Sequence, residues 1–393
     1  TDVGLIRDGQ PTKRGVVEMA GFPVRVPTLD IHTIGAGGGS IAWVDPGGLL
    51  KVGPQSAGAD PGPALYGRGG AEATVTDANV LLGRLSGAAL IGGAMTVYPD
   101  KSRDAVTALG EQAQLDPVAA AAGIVEIVNV NMMGAVRVVT IERGEDPRDY
   151  ALAAFGGAGP LHAAEVAREI GIGTVIVPAR PGLLSAVGLL DADRRGDFSV
   201  TRLLTASGAN LDAFKEGIGI LNDRGAAWSR EEDLAMPDLN AEYAVDLRYQ
   251  GQAFELTLPF ESDALNEAAL TALVLEFHHR HKALNGYDMP DQPVEIVTMR
   301  LGLAVQPQSS EPLKIAAAEN EVRDAIASWR NVWFPGTGFV DTPIYDRAKL
   351  GAGHSFDGPA IVEQTDSTTV VPPDAAVEVD ALGNILIRLE TLV

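Results

Sequence analysis

The sequence predicts an α/β domain followed by a β-rich α+β domain. The first prediction depends on residues 150–177, which read as strand, glycine turn, helix and strand. This is the repeating unit of α/β folds, and its turn faces the ligand. The second depends on residues 200–393, where strand-like runs outnumber helices. We place the boundary at residues 194–197, which gives domains of residues 1–197 and 198–393.

The composition is that of a folded, acidic protein. Hydrophobic residues make up 46% of the 393 residues, enough for a substantial core. The net charge of −22 argues against nucleic acid and anionic membranes as partners, since both require a basic surface. The absence of cysteine excludes disulfides, thiolate nucleophiles and Cys-ligated zinc. We see no membrane span or signal peptide and expect a cytoplasmic location.

The first hundred residues contain a glycine loop that can approach a ligand closely. Strands are expected at residues 24–34 and 41–44, on either side of Gly37, Gly38 and Gly39. Further on, residues 53–70 hold too much Gly and Pro for regular structure. They form either a flexible linker or a rigid functional loop.

A second glycine turn lies between a predicted strand and a predicted helix. Residues 116–143 read as one long helix, capped by Asp116-Pro117. After a strand at 150–155 comes a turn that contains Gly156, Gly157 and Gly159, and helix 161–170 follows. Free N–H groups at a helix N-terminus can bind a nucleotide phosphate, although a simple packing turn is an equal alternative. Neither P-loop nor GxGxxG spacing is present.

The remaining elements complete the secondary-structure prediction. They are a helix near Asp77, a strand at 174–177, helices at 183–190, 208–235 and 264–284, and strand-like runs at 242–250, 253–260, 294–305, 331–340, 359–371 and 376–390. His278 and His281 share a face of the helix at 264–284 and could bind a metal. We favour an amphipathic surface helix there, because no metal motif surrounds them.

Three carboxylates and one histidine are candidates for a single site. His162 lies in the first turn of the helix after the second glycine turn, where the helix dipole favours a neutral imidazole. Asp30, Asp60 and Asp77 occupy loop, strand-end or helix-start positions. The four residues could bind a metal or a substrate carbonyl. The alternative is that Asp60 and Asp77 cap local structure.

Eight motifs in one order resemble the hydantoinase A/5-oxoprolinase family, which includes ATP-dependent N-methylhydantoinase and acetone carboxylase β-type subunits. The motifs are TDVGLI (1–6), DIHTIGAGGGSIAWVD (30–45), SAGADPGPALYG (56–67), TVTDANVLLGRL (74–85), AFGGAGPLHAAEVAREIGI (154–172), PGLLSAVGLLDADRR (181–195), LRYQGQAFEL (247–256) and GPAIVEQTDSTTVVPP (358–373). The resemblance therefore runs through the whole chain.

The resemblance implies an actin/hexokinase-like (ribonuclease H-like) ATPase fold, in which ATP lies between two related lobes. Thr1 and Asp2 look like the last two residues of a phosphate-binding segment, and they are the candidate catalytic residues. The hydroxyl would contact a phosphate and the carboxylate a magnesium-bound water. The turn at 156–159 would then contact adenosine. An alternative for Thr1 is processing that leaves an N-terminal nucleophile.

The resemblance also implies a reaction and partners. ATP would phosphorylate the carbonyl oxygen of a cyclic amide, a hydantoin or a lactam, before water opens the ring. The expected cofactors are ATP and Mg²⁺ or Mn²⁺, with possible Zn²⁺ at Asp30, Asp60, Asp77 and His162. The expected partners in a hetero-oligomer are the first ATPase lobe, as a separate chain or missing upstream segment, and a hydantoinase B-type subunit.

Two other functions remain open. One is the ATP-hydrolysing subunit of a ketone carboxylase, which the same resemblance allows. The other is a non-catalytic half-subunit that completes the ATP cleft of a partner chain.

Overall fold

The computed structural model describes residues 1–14, 17–19, 22–24, 28–190, 192, 194–262, 264–305 and 314–390. The chain forms two compact units, one of residues 1–188 with 312–393 and the other of residues 189–311. These units do not follow the predicted division after residue 197. The reason is long-range strand pairing, since Thr174–Val177 pairs with Ile385–Leu389 in one sheet.

The helices lie close to their predicted positions. They are α1 Val75–Leu81, α2 Pro99–Ala113, α3 Pro117–Val139, α4 Gly159–Glu169, α5 Leu184–Leu190, α6 Leu211–Glu231 and α7 Glu267–Asn285. Asp116 caps α3 as predicted, because its Oδ1 accepts hydrogen bonds from the N–H groups of Val118 and Ala119 at 3.0 Å each.

Short strands precede the helices of the first unit, and longer ones follow. The strands are β1 Asp2–Gly4, β2 Ile6–Arg7, β3 Gln10–Pro11, β4 Lys13–Arg14, β5 Val17–Met19, β6 Phe22–Val24, β7 Thr28–Leu29, β8 Ile31–Thr33, β9 Ser40–Val44, β10 Leu50–Ser56, β11 Ala89–Leu90, β12 Met95–Thr96, β13 Leu152–Ala153, β14 Thr174–Val177, β15 Arg195–Thr205, β16 Leu239–Tyr249, β17 Leu256–Pro259, β18 Val294–Val305, β19 Ile326–Phe334, β20 Gly338–Asp346, β21 Ser355–Asp357, β22 Ala360–Glu363, β23 Thr368–Val371, β24 Ala375–Val379 and β25 Ile385–Leu389.

Two sheets of the first unit hold α4 in place. One has the strand order β13-β14-β25-β24-β21 and the other the order β19-β20-β22-β23. Ala163, Ala164 and Ala167 of α4 pack in the core cluster of the first sheet. Leu161 packs in the core cluster of the second sheet. Because α4 is fixed on both sides, the position of His162 between these residues is well defined.

Helix α3 is the central helix of the other large cluster in this unit. Its residues Ile124, Val125 and Val128 pack with α1 and α2. By length and composition alone, Pro117–Arg143 passes the test for a helix that could cross a membrane, and half of the apolar window is buried in the structure. The buried residues explain the apolar sequence, since a core helix needs the same composition.

The second unit is an antiparallel sheet with the strand order β15-β18-β16-β17, and α6 and α7 pack on it. His281 of α7 is fully buried, which contradicts the predicted surface helix for this residue. Its Nδ1 lies 2.8 Å from the carbonyl oxygen of Tyr287. The Nδ1 of His278 lies 2.6 Å from the hydroxyl of Tyr249. Both rings therefore make hydrogen bonds within this unit.

Candidate functional site

A cleft of about 340 Å³ in the first unit brings both glycine turns together. Its lining comes from five parts of the chain that are distant in sequence. The lining residues are Gly38, Gly39, Gly58, Pro63, Tyr66, Thr76, Asn79, Leu85, Leu90, Ile91, Gly157, Ala158, Leu161, His162, Gln364, Thr365, Asp366, Ser367 and Thr368. The predicted nucleotide elements thus form one wall system.

The first glycine loop is held against the start of α1. The backbone N–H and the Oγ1 of Thr76 both donate hydrogen bonds to the carbonyl oxygen of Gly38, each at 2.9 Å. A Cβ at Gly38 would lie only 2.8 Å from Oγ1 of Thr76, so this close approach requires glycine. Gly37 is not a cleft residue, and its N–H donates to Oγ of Ser40 at 3.0 Å.

In the second glycine turn, each glycine has a different role. Gly157 lines the cleft, and a Cβ there would meet no atom of the described structure within 4 Å. Gly156 has a φ of 81° and donates its N–H to the carbonyl oxygen of Pro181 at 2.8 Å. Gly159 is the first residue of α4. Only Gly157 therefore offers open backbone to a ligand.

His162 is fixed by a buried chain of polar contacts. The guanidinium of the fully buried Arg84 contacts both carboxylate oxygens of Glu165, at 3.2 and 2.6 Å. Oε2 of Glu165 accepts a hydrogen bond from Nδ2 of Asn129 at 2.6 Å. The side-chain oxygen of Asn129 then lies 2.8 Å from Nδ1 of His162.

The same surroundings keep the His162 ring neutral. Burial, with a smaller effect from the positive charge of Arg84, lowers the pKa of His162 from 6.5 to about 4, and the charge of Glu165 partly opposes this. The imidazole is therefore uncharged at neutral pH, as the sequence predicted. The larger cause is burial rather than the predicted helix dipole.

Three residues of the cleft wall carry a buried side-chain atom that lacks a hydrogen-bond partner in the described part of the chain. The atoms are Oδ1 of Asn79, Nε2 of His162 and Oδ2 of Asp366. Nδ2 of Asn79 donates to the carbonyl oxygen of Val75 at 2.9 Å, which leaves the oxygen of that amide free. Buried atoms of this kind are costly unless a ligand or water satisfies them.

All three atoms can accept hydrogen bonds, so the cleft suits a ligand that donates them. Amide N–H groups, hydroxyls, amino groups and metal-bound water are of this kind. The oxygens of Asn79 and Asp366 also belong to ligand types that Mg²⁺ and Mn²⁺ accept. The chemistry of the wall is therefore compatible with a nucleotide and its metal ion, and with a cyclic amide.

The four predicted metal ligands do not form the predicted site. In residues 1–14, 17–19, 22–24, 28–190, 192, 194–262, 264–305 and 314–390, no group of three or more His, Asp or Glu side chains is arranged to hold a metal. Asp30 is buried and pairs with Arg143, whose Nη2 lies 3.1 Å from Oδ1. Asp60 is exposed in the loop before α1, and of the four residues only His162 lines the cleft.

Asp77 has a structural role instead. Its carboxylate accepts hydrogen bonds from the N–H and the Oγ1 of Thr74, from the N–H of Leu65 and from Oγ of Ser102, at 2.6–3.0 Å. Thr74 and Asp77 form the capping box of α1. This corrects the metal prediction in favour of its alternative, helix capping, because the oxygens are already occupied.

Thr1 and Asp2 lie beside the first glycine loop but do not line the cleft. The hydroxyl of Thr1 donates to the carbonyl oxygen of Ala36. Oδ1 of Asp2 accepts a hydrogen bond from Oγ1 of Thr33 at 2.6 Å. Their catalytic roles stay a prediction.

Sequence reasoning missed Asn79, Arg84, Asn129, Glu165 and Asp366. Four of them stand in motifs that carried the family resemblance, but no role was assigned to them. Asn129 had a signal of its own, since an amide in the middle of an apolar helix needs a polar partner.

Three relatives illustrate the similarity. An uncharacterized protein from Methanocaldococcus jannaschii is 38% identical over 371 residues, and the match covers 94% of this chain and 52% of that protein. Caprolactamase subunit alpha from Pseudomonas jessenii is 35% identical, covering 96% and 55%. Acetophenone carboxylase gamma subunit from Aromatoleum aromaticum is 32% identical, covering 97% and 54%. The chain spans about half the length of these relatives.

Two solved structures are similar in fold. The ATP-dependent caprolactamase from Pseudomonas jessenii matches with a TM-score of 0.76 at 35% identity, over 93% of this chain and 54% of that chain. A nucleotide-free acetone carboxylase matches with a TM-score of 0.82 at 24% identity, over 99% and 57%. Both have mixed α/β content, in agreement with the predicted fold class at that level.

Family models cover nearly all of the chain. The hydantoinase/oxoprolinase model matches residues 1–197, and the hydantoinase/oxoprolinase C-terminal domain model matches residues 213–390. The chain therefore belongs to the hydantoinase/oxoprolinase family.

Proposed function

We propose that this chain is part of an ATP-dependent hydrolase of cyclic amides, and that the cleft of its first unit is where ATP and the amide meet. The observation that carries this proposal is the cleft wall itself. Gly38, Gly39 and Gly157 allow close backbone approach, and partnerless acceptor atoms stand beside them. Family membership and the caprolactamase relative give the reaction class.

The reaction addresses a physical difficulty. An unstrained cyclic amide resists attack by water, because its carbonyl carbon is a weak electrophile. Transfer of the γ-phosphoryl group of ATP to the carbonyl oxygen makes the carbon more electrophilic and gives it a leaving group. In this proposal the glycine turns receive the phosphates, and the acceptor atoms orient groups that donate hydrogen bonds.

The metal in this proposal is the Mg²⁺ or Mn²⁺ ion that accompanies ATP. Asn79 and Asp366 would supply oxygen atoms to the ion or to its water molecules. Asp2 is retained as a candidate for a magnesium-bound water, and Asp2→Ala is expected to abolish turnover while the fold is preserved. Zinc at the four predicted residues is not part of the proposal.

The remaining parts of the active enzyme are also proposals. The first unit would act as one lobe of an actin/hexokinase-like ATPase, and the other lobe would come from outside this chain. A hydantoinase B-type subunit would assist ring opening in a hetero-oligomer, and the complex would be cytoplasmic. The name of the Pseudomonas relative, a subunit alpha, supports a multi-subunit enzyme.

A ketone carboxylase subunit is the second candidate, favoured by the acetophenone carboxylase relative. The two candidates differ in the substrate that stimulates ATP hydrolysis. The test measures ADP formation by the complete protein with its co-purifying subunits. Lactams or hydantoins should stimulate it. Stimulation only by a ketone with bicarbonate would favour the second candidate. If nothing stimulates it, the non-catalytic half-subunit becomes the better account.

A further inference from the structure

The tautomer of His162 follows from the contacts around it. The Glu165 carboxylate, paired with Arg84, can only accept hydrogen bonds, so the Asn129 group 2.6 Å from it must be the NH₂. The opposite end of the same amide is then its oxygen, an acceptor, 2.8 Å from Nδ1 of His162. Nδ1 must therefore carry the proton, and Nε2 holds a lone pair.

The lone pair lies on the ring edge that Asn129 does not occupy. Asn129 is not part of the cleft wall, whereas His162 is. Nε2 is buried and has no hydrogen-bond partner in the part of the chain that the structure describes. His162 itself is 1% exposed, so bulk water does not reach this ring. The polar chain thus presents one unprotonated nitrogen to the cleft.

We propose that Nε2 of His162 accepts the ring N–H of the cyclic amide and takes its proton during phosphoryl transfer. This assignment rests on the proposed function. Glu165 and Asn129 are positioning residues, since they act on the amide only through the ring that they orient. The ligand class follows from the acceptor character of Nε2, which selects secondary over tertiary amides.

The step balances. The carbonyl oxygen of the amide forms a bond to the γ-phosphorus of ATP, and the bond from that phosphorus to the β–γ bridging oxygen breaks, so ADP leaves with the electron pair. The ring nitrogen loses its proton to Nε2, and the electron pair of the N–H bond becomes part of the C=N bond. The products are an O-phosphorylated imidate, ADP and a protonated His162. Water that later opens the ring restores the proton balance.

The first readout is the tautomer itself, which does not depend on turnover. Long-range ¹H–¹⁵N spectra of the chain at neutral pH should show His162 protonated at Nδ1 only, with its signals identified by their loss in His162→Gln. In Asn129→Asp, which keeps an acceptor facing Nδ1, the tautomer should be retained. In Asn129→Leu, which removes it, the Nε2-protonated form should appear. Protonation at Nε2 in the wild type overturns the assignment.

The second readout uses a lactam with one ring nitrogen and its N-methyl analogue. The complete wild-type protein should form ADP with the lactam and not with the N-methyl compound, which has no proton to give. His162→Gln, which can still donate to Asn129, should lower the lactam-dependent kcat about 100-fold or more. Equal rates with both amides overturn the role of His162 and leave the proposed function standing. If no cyclic amide stimulates ADP formation, both fail.

Discussion

The side-chain oxygen of Asn129 lies 2.8 Å from Nδ1 of His162, and both residues are almost completely buried. Asn129 belongs to the central helix α3 and His162 to the first turn of α4. This contact therefore joins the core of the first unit to the wall of its cleft. Three predictions follow from the polar groups around it and from the cleft that it serves, and a fourth concerns the cleft opening.

The ion pair between Arg84 and Glu165 should matter for stability. Arg84 is fully buried, so Glu165→Ala leaves a guanidinium without its counter-ion in the core. We expect the free energy of unfolding to fall by about 3–5 kcal/mol. Urea unfolding followed by tryptophan fluorescence measures this.

The matched control is Arg148→Ala in the same unit. Arg148 and Asp146 form an ion pair on the surface, and such pairs contribute little to stability because water screens them. This variant should unfold like the wild type. A similar loss in both variants would mean that burial of Arg84 is not the cause.

Asp77 should behave as a structural residue and not as a metal ligand. Asp77→Asn replaces one acceptor oxygen by an NH₂ group among four short hydrogen bonds from Thr74, Leu65 and Ser102. We expect a loss of roughly 2–4 kcal/mol in the free energy of unfolding, with or without divalent metal. Asp60→Asn, in an exposed loop position, is the control and should leave stability unchanged. Full stability of Asp77→Asn with a loss of bound metal would reverse the assignment.

The stability of the protein should depend on pH through His162. Its pKa is about 4 in the folded state against 6.5 ordinarily, so the unfolded chain binds more protons between these values. The contribution is fully present above pH 6.5 and is lost as the pH falls toward 4. Between pH 7.5 and 5 the loss is about 2 kcal/mol.

His162→Gln tests this pH dependence, because glutamine does not titrate. Denaturant unfolding across pH 5 to 7.5 should show a flatter profile for this variant than for the wild type. His279→Gln, an exposed position in the second unit, serves as the control and should keep the wild-type slope. Identical slopes for wild type and His162→Gln would show that His162 is not buried neutral.

Local signals in the sequence were sufficient for several elements of the first unit. Asp116-Pro117 predicted the start of α3, and the strand at 174–177 has the predicted limits. These signals are caps and short apolar runs that depend only on neighbouring residues. Pairing between β14 and β25 joins distant parts of the chain, and no local pattern encodes it. The discontinuous first unit was therefore missed.

Other errors had visible causes. The run at 331–340 was predicted as one strand, whereas β19 ends at Phe334 and β20 begins at Gly338. Gly336 in this turn has a φ of 72°, a conformation that favours glycine. The metal prediction failed at Asp77 because Thr74 stands three residues earlier, the spacing of a capping box. The acceptor atoms of the cleft come from four distant segments, which only the fold brings together.

The most direct test of the central claim blocks the cleft without disturbing the fold. A Cβ at Gly157 meets no atom of the described structure within 4 Å, so Gly157→Leu should fold normally and fill the cleft with its side chain. Gly134→Leu, at an exposed position of α3 with equally open space, is the matched control. We measure amide-dependent ADP formation by the complete protein. The account predicts that Gly157→Leu abolishes it and that Gly134→Leu retains it. Wild-type ADP formation by a folded Gly157→Leu variant would contradict the assignment of this cleft as the active site.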